Sequence, residues 1–472
     1  MSRLSQTGDY ASLVNPQQKH AAAAIADEFP LRPEPPVPET TKTENEKPTE
    51  IGAIDGWKLR NGHGLTFIAL FFFSIVLYFR PYELIPALSS FTQMAFIFGI
   101  LTLAIYVPSQ LVLEGNLTAQ PREIHLILLL CLAAFLSMPL ATSPGEAYTT
   151  FTDVLLKVIV IFIVIVNVVR TKMRFRLLIW LAFAVSIYLS YFAVGDYMTG
   201  NFREGSAFYN NQRIGGVIGG LFGNSNDLAL HLVTMVPLAI GFAFATKSSL
   251  RKLLYIGFAV LFVCAIVVTF SRGGFLGLSV AALVLVRKIG RKNKLLSTGA
   301  LVAALVAVLA FAPASYSNRL STIFNSESDT TGSSSQRTEI LKRSIWVTLR
   351  YPLFGVGVGN FHYKSVHELV THNAYTQVSS EMGIPALIVY VMLMVYPLRR
   401  LRGIEAATED VADKRELHYW SIGIQASIIA YMVSSFFGAV AYQWYIYYLV
   451  SYAVALRRLY YVDQHAEQRK PS

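Results

Sequence analysis

Long apolar runs recur along the chain from about Leu65 onward, and few folds other than a bundle of membrane helices can accommodate them. Each run approaches the roughly 20 residues that a helix needs to cross a hydrocarbon core of about 30 Å. Hydrophobic residues make up 54% of the 472 residues, and the mean hydropathy is +0.46. The sequence therefore predicts an all-α, polytopic integral membrane protein.

About twelve runs are predicted to span the membrane, and short polar connections separate them. The predicted spans are 65–79, 87–107, 124–140, 153–169, 177–194, 226–246, 253–270, 274–286, 295–313, 376–396, 419–437 and 440–456. An even number of spans places both termini on the same side of the membrane.

Basic residues in the short connections indicate the orientation of the bundle. The basic connections are "RTKMRFR" (170–176), "KSSLRK" (247–252), "RKIGRKNK" (287–294) and "RRLRG" (399–403). Positively charged connections of this kind stay in the cytoplasm. Twelve spans then put all four connections and both termini on the cytoplasmic side, and the longest connection, 314–372, on the outer side.

The sequence divides into a tail, a membrane region and one large loop. The first 60 residues, with "FPLRPEPPVPETTKTENEKPTE", contain too few large apolar side chains to offset the entropy of ordering. The predicted order is a disordered cytoplasmic tail at 1–60, transmembrane helices 1–9 at 61–313, an outer loop at 314–372, transmembrane helices 10–12 at 373–457 and a cytoplasmic tail at 458–472.

The net charge of +11 does not indicate a nucleic-acid partner, because most of the excess belongs to the cytoplasmic connections. Both cysteines, Cys131 and Cys264, lie inside apolar runs, so neither a disulfide framework nor a cysteine metal site is predicted. On the outer face we find no Asp-x-Asp sequence or carboxylate cluster, so no metal site is predicted there either.

Cations on the outer face need an explanation of their own, because the positive-inside rule disfavours them. They are Arg213, Arg272, Arg319, Arg337, Lys342, Arg343 and Arg350. A headgroup contact or a surface ion pair explains any single one. Arg272 differs, because it lies between two apolar segments where an unpaired charge is costly. The glycines after it either bring backbone N–H groups to an anion such as phosphate or let two helices pack closely.

Five motifs follow one another in the second half of the chain. They are "FGNSNDLALHL" (222–232), "TFSRGGFLGL" (269–278), "SSQRTEILKRSIW" (334–346), "PLFGVGVGNF" (352–361) and "THNAYTQVSSEMGIPAL" (371–387). Taken in this order, they resemble the O-antigen ligase and O-antigen polymerase superfamily of bacterial envelope glycosyltransferases. The resemblance covers roughly residues 210–450.

The resemblance implies a GT-C-like membrane glycosyltransferase that works without a metal ion or other cofactor. Such an enzyme takes a glycan from a polyprenyl (undecaprenyl) diphosphate carrier and transfers it to an acceptor hydroxyl, on lipid A-core or a similar glycan or lipid. The reaction takes place at the periplasmic face of the bacterial inner membrane, among membrane lipids.

The resemblance also implies three catalytic residues, which are Arg272, Arg337 and His372. Fixed guanidinium groups stabilise the charge that grows on a diphosphate leaving group. An imidazole can take the proton of the attacking hydroxyl. Two other interpretations of His372 stay open: it binds substrate by hydrogen bonds without taking a proton, or it caps a helix or contacts headgroups.

Six further residues are predicted to bind substrate. Asn373 and Tyr375 are expected to orient the ring or the sugar, and Glu381 to pair with an arginine. Arg213 and Arg319 are expected at the entrance for the diphosphate or sugar. Lys157 either reaches a phosphate or pairs with Asp153 at (i, i+4).

Two alternatives to a ligase are left open by the sequence. A polymerase of the same superfamily joins repeat units to each other and shares these motifs. A flippase for lipid-linked oligosaccharides also accommodates twelve helices, but it would carry its ionisable residues near mid-membrane in two related halves.

Overall fold

A computed structural model of the protein describes residues 62–201, 214–290, 299 and 333–468. In these ranges the regular structure is helical and contains no β-strand, so the all-α prediction is confirmed. The long helices are α1 (Gly64–Phe79), α2 (Met94–Glu114), α3 (Arg122–Ser137), α4 (Pro144–Val168, with a π-helical turn at Phe151–Leu155), α5 (Lys172–Thr199), α6 (Ser225–Ala245), α7 (Ser249–Val268), α8 (Arg272–Ile289), α9 (Ser333–Arg350), α10 (Ala374–Thr408), α11 (Arg415–Ser434) and α12 (Trp444–Gln468).

Nine helical segments in the described ranges are long and apolar enough to cross a membrane, which confirms a multi-pass protein. They are Gly64–Leu84, Met94–Glu114, Arg122–Leu140, Pro144–Val168, Lys172–Thr199, Ser225–Ala245, Ser249–Val268, Ala374–Thr408 and Ala412–Phe437. Helices α8 and α12 coincide with two more predicted spans but do not meet the same criteria of hydropathy and charge. The predicted span 295–313 lies outside the described residues.

Several predicted spans differ from the observed helices by several residues at one end, and the second span differs at both ends. The second span was expected at 87–107, whereas α2 runs from Met94 to Glu114. Its start is delayed because a short 3₁₀ turn and an irregular stretch occupy residues 86–93. Its end is late because the helix continues through Pro108 and stops only where Gly115 adopts a left-handed conformation, with φ 70°.

The centre of the bundle is α6, which packs against α7 and α11. A Cβ atom on Gly241 of α6 would lie 2.7 Å from the backbone oxygen of Tyr419 in α11. The Ser427 hydroxyl of α11 donates to the Thr234 carbonyl of α6 at 2.6 Å. Close backbone approach at a glycine, with a hydroxyl bond beside it, is how helices associate where burial from water gives no driving force.

The bundle has two distinct ends, and we call the one that carries the sequence motifs the motif end. There the hydroxyl of Ser271, just before α8, donates to Asn226 Oδ1 at the start of α6, at 3.1 Å. The Ser434 hydroxyl at the end of α11 donates to the Gly273 carbonyl at 3.0 Å. The starts of α6 and α8 and the end of α11 therefore meet.

The opposite end, here the basic end, contains the described residues of the Lys- and Arg-rich connections. Arg176 pairs with Glu416 at 2.5 Å, and Lys288 pairs with Glu405. Near the end of α6, Arg415 Nε donates to the Phe244 carbonyl at 2.9 Å. These contacts join connections that are far apart in sequence, so the basic connections lie away from the motif end.

Helix α10 is interrupted near its start. Gly383 has φ 89° and ψ 172°, which no helix contains. The glycine-rich turn 352–360 packs into the interruption: the Ile384 amide donates to the Pro352 carbonyl at 2.7 Å, and the Gly357 amide donates to the Glu381 carbonyl at 3.0 Å. Broken helices persist at membrane depth only where other protein groups satisfy the freed backbone in this way.

Part of the predicted outer loop 314–372 is helical. Residues 333–350 form α9, because Ile340 and Val347 provide an apolar side that packs against Val356 and Phe361 of the turn that follows. Residues 314–332 and the predicted tail 1–60 lie outside the described ranges.

The interruption of α10 is expected to be intolerant of any side chain at Gly383. We expect Gly383→Ala to lower the stability by about 2 kcal/mol or more, because alanine is strained at φ 89° and its Cβ would lie 2.2 Å from the Leu353 carbonyl oxygen. Thermal unfolding of the detergent-solubilised protein measures this. Gly403→Ala, in the same helix with no atom within 4 Å of its Cβ, is the control. Equal unfolding temperatures for the two variants would contradict the interpretation.

Candidate active site

His372 lies just before the first turn of α10, and a helix cap fixes its position. The Asn373 side chain accepts hydrogen bonds from the Tyr375 amide at 2.9 Å and the Thr376 amide at 3.1 Å. An asparagine in extended backbone with these two bonds is a helix N-cap. The residue predicted to orient the ring or the sugar therefore uses its carbonyl oxygen to orient the backbone that carries His372.

Tyr375 attaches the start of α10 to the end of α11. Its hydroxyl donates to the Met432 carbonyl at 2.7 Å, and its ring centroid lies 4.4 Å from that of Phe436. Met432 is two residues from Ser434, which bonds to Gly273. The last turn of α11 thus contacts the segments that begin with Arg272 and with His372.

The Ser-Arg-Gly-Gly sequence forms the cap and first turn of α8. The Ser271 hydroxyl accepts from the Gly274 amide at 3.2 Å, and Arg272 is the first residue of the helix, half-buried. A Cβ atom on Gly273 would lie 2.7 Å from that of Phe437, and one on Gly277 would lie 1.9 Å from Ser434 Oγ. Both glycines therefore permit close packing on α11, and the Gly274 amide is already bonded to the cap.

A small cleft opens beside Arg272 at the motif end. It is lined by Asn226, Asp227, Leu230, Ser271, Gly273, Gly274, Ser434, Phe437 and Gly438. Asn224 is the true cap of α6, because its side chain accepts from the Asn226 amide at 2.8 Å. Asn226 instead bonds to Ser271, and Asp227 faces the cleft. From the sequence alone, Asn224, Asn226 and Asp227 can each be interpreted as the cap of this helix, because nothing local distinguishes them.

Arg337 acts electrostatically on His372. It lies in the second turn of α9, half-buried. Burial, and then the positive charge of Arg337, lower the pKa of His372 to about 4. The imidazole is consequently neutral at physiological pH, and one of its ring nitrogens carries a lone pair.

Glu381 does not pair with an arginine among the described residues, in contrast to the prediction. It is buried, and its Oε2 accepts from the Gly359 amide at 2.8 Å and from the Tyr442 hydroxyl at 2.6 Å. The carboxylate therefore holds the glycine-rich turn against α10 and α12. Gly359 precedes Glu381 by 22 residues, so the sequence alone could not show that the glycine-rich turn lies beside this carboxylate.

Of the remaining residues predicted to bind substrate, the structure describes only Lys157. Lys157 Nζ lies 3.0 Å from Asp153 Oδ1, so the ion-pair interpretation describes the observed geometry. Arg213 and Arg319 lie outside the described residues. His362, to which the sequence assigned no chemistry, has Nε2 3.6 Å from Glu146 Oε1. In the described ranges no three His, Cys, Asp or Glu side chains cluster closely enough to hold a metal ion.

The cap at Asn373 is expected to contribute measurably to stability. Asn373→Ala should lower the unfolding free energy by about 1 kcal/mol, because two amides of α10 lose their acceptor. Asn373→Ser should retain most of that stability, since serine is an equally good cap. Unfolding followed by the circular dichroism of the purified variants tests this, and an alanine variant as stable as the serine variant would show that the cap is dispensable.

A comparison with known protein families agrees with the motifs. Residues 257–391 match the family model described as O-antigen ligase. The matched segment begins in α7 and ends in α10, so it includes the Ser-Arg-Gly-Gly turn, the glycine-rich turn and the start of α10. No curated protein matches the chain. Residues 257–391 of this multi-pass helical protein are thus similar to the O-antigen ligase family.

Proposed function

We propose that this protein transfers a glycan from a polyprenyl diphosphate carrier to an acceptor hydroxyl, as an O-antigen ligase-type glycosyltransferase. The proposal rests on the position of His372 at the capped start of α10, inside the segment that matches the family, where burial and the charge of Arg337 lower the pKa of the ring. A neutral base beside a fixed cation suits a reaction that removes a proton from one substrate and stabilises negative charge on the other.

In the proposed reaction, the acceptor oxygen attacks the anomeric carbon of the donor sugar. The bond from that carbon to the diphosphate oxygen breaks, and its electron pair leaves with the polyprenyl diphosphate. His372 takes the proton of the attacking hydroxyl, and Arg337 and Arg272 stabilise the departing diphosphate. No nucleotide sugar, metal ion or other cofactor enters this scheme.

The proposed location is the periplasmic face of the bacterial inner membrane, with both termini in the cytoplasm. Support comes from the separation of the two ends of the bundle. At the basic end, Arg176 and Lys288 of two basic connections form ion pairs with Glu416 and Glu405. At the motif end, Ser271 is hydrogen-bonded to Asn226. Since basic connections stay cytoplasmic, the motif end would face the periplasm.

The acceptor that we favour is lipid A-core or a similar glycan or lipid, which makes the protein a ligase. A polymerase would use the same three residues with the growing glycan as acceptor. A flippase would need no leaving-group stabilisation and would move the donor without breaking a bond. Purified protein incubated with an undecaprenyl diphosphate glycan and a panel of acceptors separates the three, because only the enzymes release the carrier diphosphate.

Removal of the proposed catalytic groups is expected to abolish transfer. We expect His372→Ala and Arg272→Ala each to lower the transfer rate by at least about 100-fold, because proton removal and leaving-group stabilisation each contribute that much to comparable reactions. Glycan transfer and carrier release are measured in reconstituted liposomes. His125→Ala, an exposed histidine of α3, and Arg251→Ala, an exposed arginine at the basic end, are the matched controls. Full activity of either catalytic variant would exclude the assignment.

The low pKa of His372 predicts an unusual pH profile. Because the pKa lies at about 4, the ring loses its proton well below neutrality and is almost entirely neutral at pH 5.5. A histidine with the ordinary value of about 6.5 would be only about 9% neutral at that pH. We therefore expect kcat/KM, which reports the free enzyme, to stay level from pH 8 to 5.5. A tenfold loss over that range, centred near pH 6.5, would contradict the proposed state of His372.

A further inference from the structure

Helix α9 carries an apolar ridge that does not face the protein. Leu341, Ile345 and Leu349 lie four residues apart and are 39%, 46% and 70% exposed. We call these three residues the α9 ridge. On the other side of the helix, Ile340 and Val347 are buried. The helix therefore already has a packed apolar side, and the ridge is a second one, available to a partner.

The positively charged Arg337 lies one helical turn before the α9 ridge. Arg337 precedes Leu341 by four residues, as Leu341 precedes Ile345, so the four side chains follow one line along the helix. At a rise of 1.5 Å per residue, this line extends about 18 Å from Arg337 to Leu349. Its charged end is the one that acts on His372.

Most of the charged side chains of α9 are positive. Within Ser333–Arg350 the cations are Arg337, Lys342, Arg343 and Arg350 and the anion is Glu339, which gives a net charge of +3 from four positive groups and one negative group. Arg343 already bonds to the Lys364 carbonyl at 2.5 Å and stacks on the Trp346 ring at 4.4 Å. The surface thus favours a partner that is anionic at one end and apolar along its length.

We propose that the α9 ridge binds the isoprenoid chain of the polyprenyl diphosphate donor, with the diphosphate at Arg337 and the first isoprene units along Leu341, Ile345 and Leu349. This inference rests on the proposed function and deepens it. A protein partner would not need the cation at the head of the ridge. The acyl chains of bulk membrane lipids would not require the ridge to begin at Arg337, the residue that lowers the pKa of His372.

The proposal gives the ridge a role in substrate affinity. Chain atoms held against the ridge gain apolar contacts that a short-chain donor cannot make. The wild-type protein should therefore show a KM for an undecaprenyl diphosphate glycan at least about tenfold lower than for the same glycan on dimethylallyl diphosphate, whose single isoprene unit is too short to reach Ile345 and Leu349. The chemistry at the sugar is identical in both donors, so kcat should be similar.

The ridge is tested by the double substitution Ile345→Asn with Leu349→Asn. We expect the KM for the undecaprenyl donor to rise about tenfold, while the KM for the dimethylallyl donor and both kcat values stay the same. Leu253→Asn, an exposed leucine of α7 in the basic half of the bundle, is the control for polar residues on a lipid-exposed surface. Equal loss with both donors, or no change with either, would overturn the proposal.

A measurement without turnover separates this inference from the proposed function. A polyprenyl diphosphate with a photoreactive group in its first isoprene units is bound in liposomes and irradiated, and the labelled peptide is identified. Labelling of residues 337–350 that excess unlabelled polyprenyl diphosphate prevents, and excess phosphatidylglycerol does not, supports the ridge even in a protein that transfers no glycan. Transfer-competent protein without that labelling, or labelling that phosphatidylglycerol prevents equally, overturns the inference and leaves the proposed function standing.

Discussion

The backbone of α10 at Gly383 must find hydrogen-bond partners inside an apolar bundle, and much of the motif end depends on how it does so. An unsatisfied amide costs several kcal/mol in such surroundings. The glycine-rich turn supplies the partners, since the Val356 and Gly357 amides bond to carbonyls of α10. The same turn binds the α3–α4 connection, where the Ser143 amide donates to Asn360 Oδ1 at 2.6 Å. The helix start that carries His372 is therefore anchored from several directions.

A second joint, the last turn of α11, extends this anchoring to Arg272. Through Met432 it holds Tyr375 and through Ser434 it holds Gly273. Glycosyl transfer without large motions of the reacting groups requires such preorganisation, because misplacement by about 1 Å costs orders of magnitude in rate. Rigid anchoring of the proposed catalytic residues contrasts with the exposed ridge of α9, where the isoprenoid chain that we propose as its ligand needs an apolar surface more than a fixed geometry.

The sequence predicted more of the fold than of the site. Apolar runs located the membrane helices because the length needed to cross a bilayer is a strong local signal. The ends of α2 were misplaced because turns precede it and because the helix continues through Pro108. The electrostatic effect of Arg337 on His372 joins two motifs that the sequence analysis had already identified. Glu381 was misinterpreted, since its partners Gly359 and Tyr442 come from distant segments. Asn226 was interpreted as a cap, because its hydrogen bond to Ser271 joins residues 45 positions apart and is not visible in the local sequence.

By itself, the sequence determined the helical class, the segregation of basic connections and the candidates His372, Arg272 and Arg337. Each of these follows from hydropathy, charge or motif order, which are properties of short stretches. Only the tertiary structure decided that Asn373 caps α10, that Glu381 secures the glycine-rich turn and that burial makes His372 neutral. These features depend on which distant groups surround a side chain and exclude water, and no local pattern encodes that arrangement.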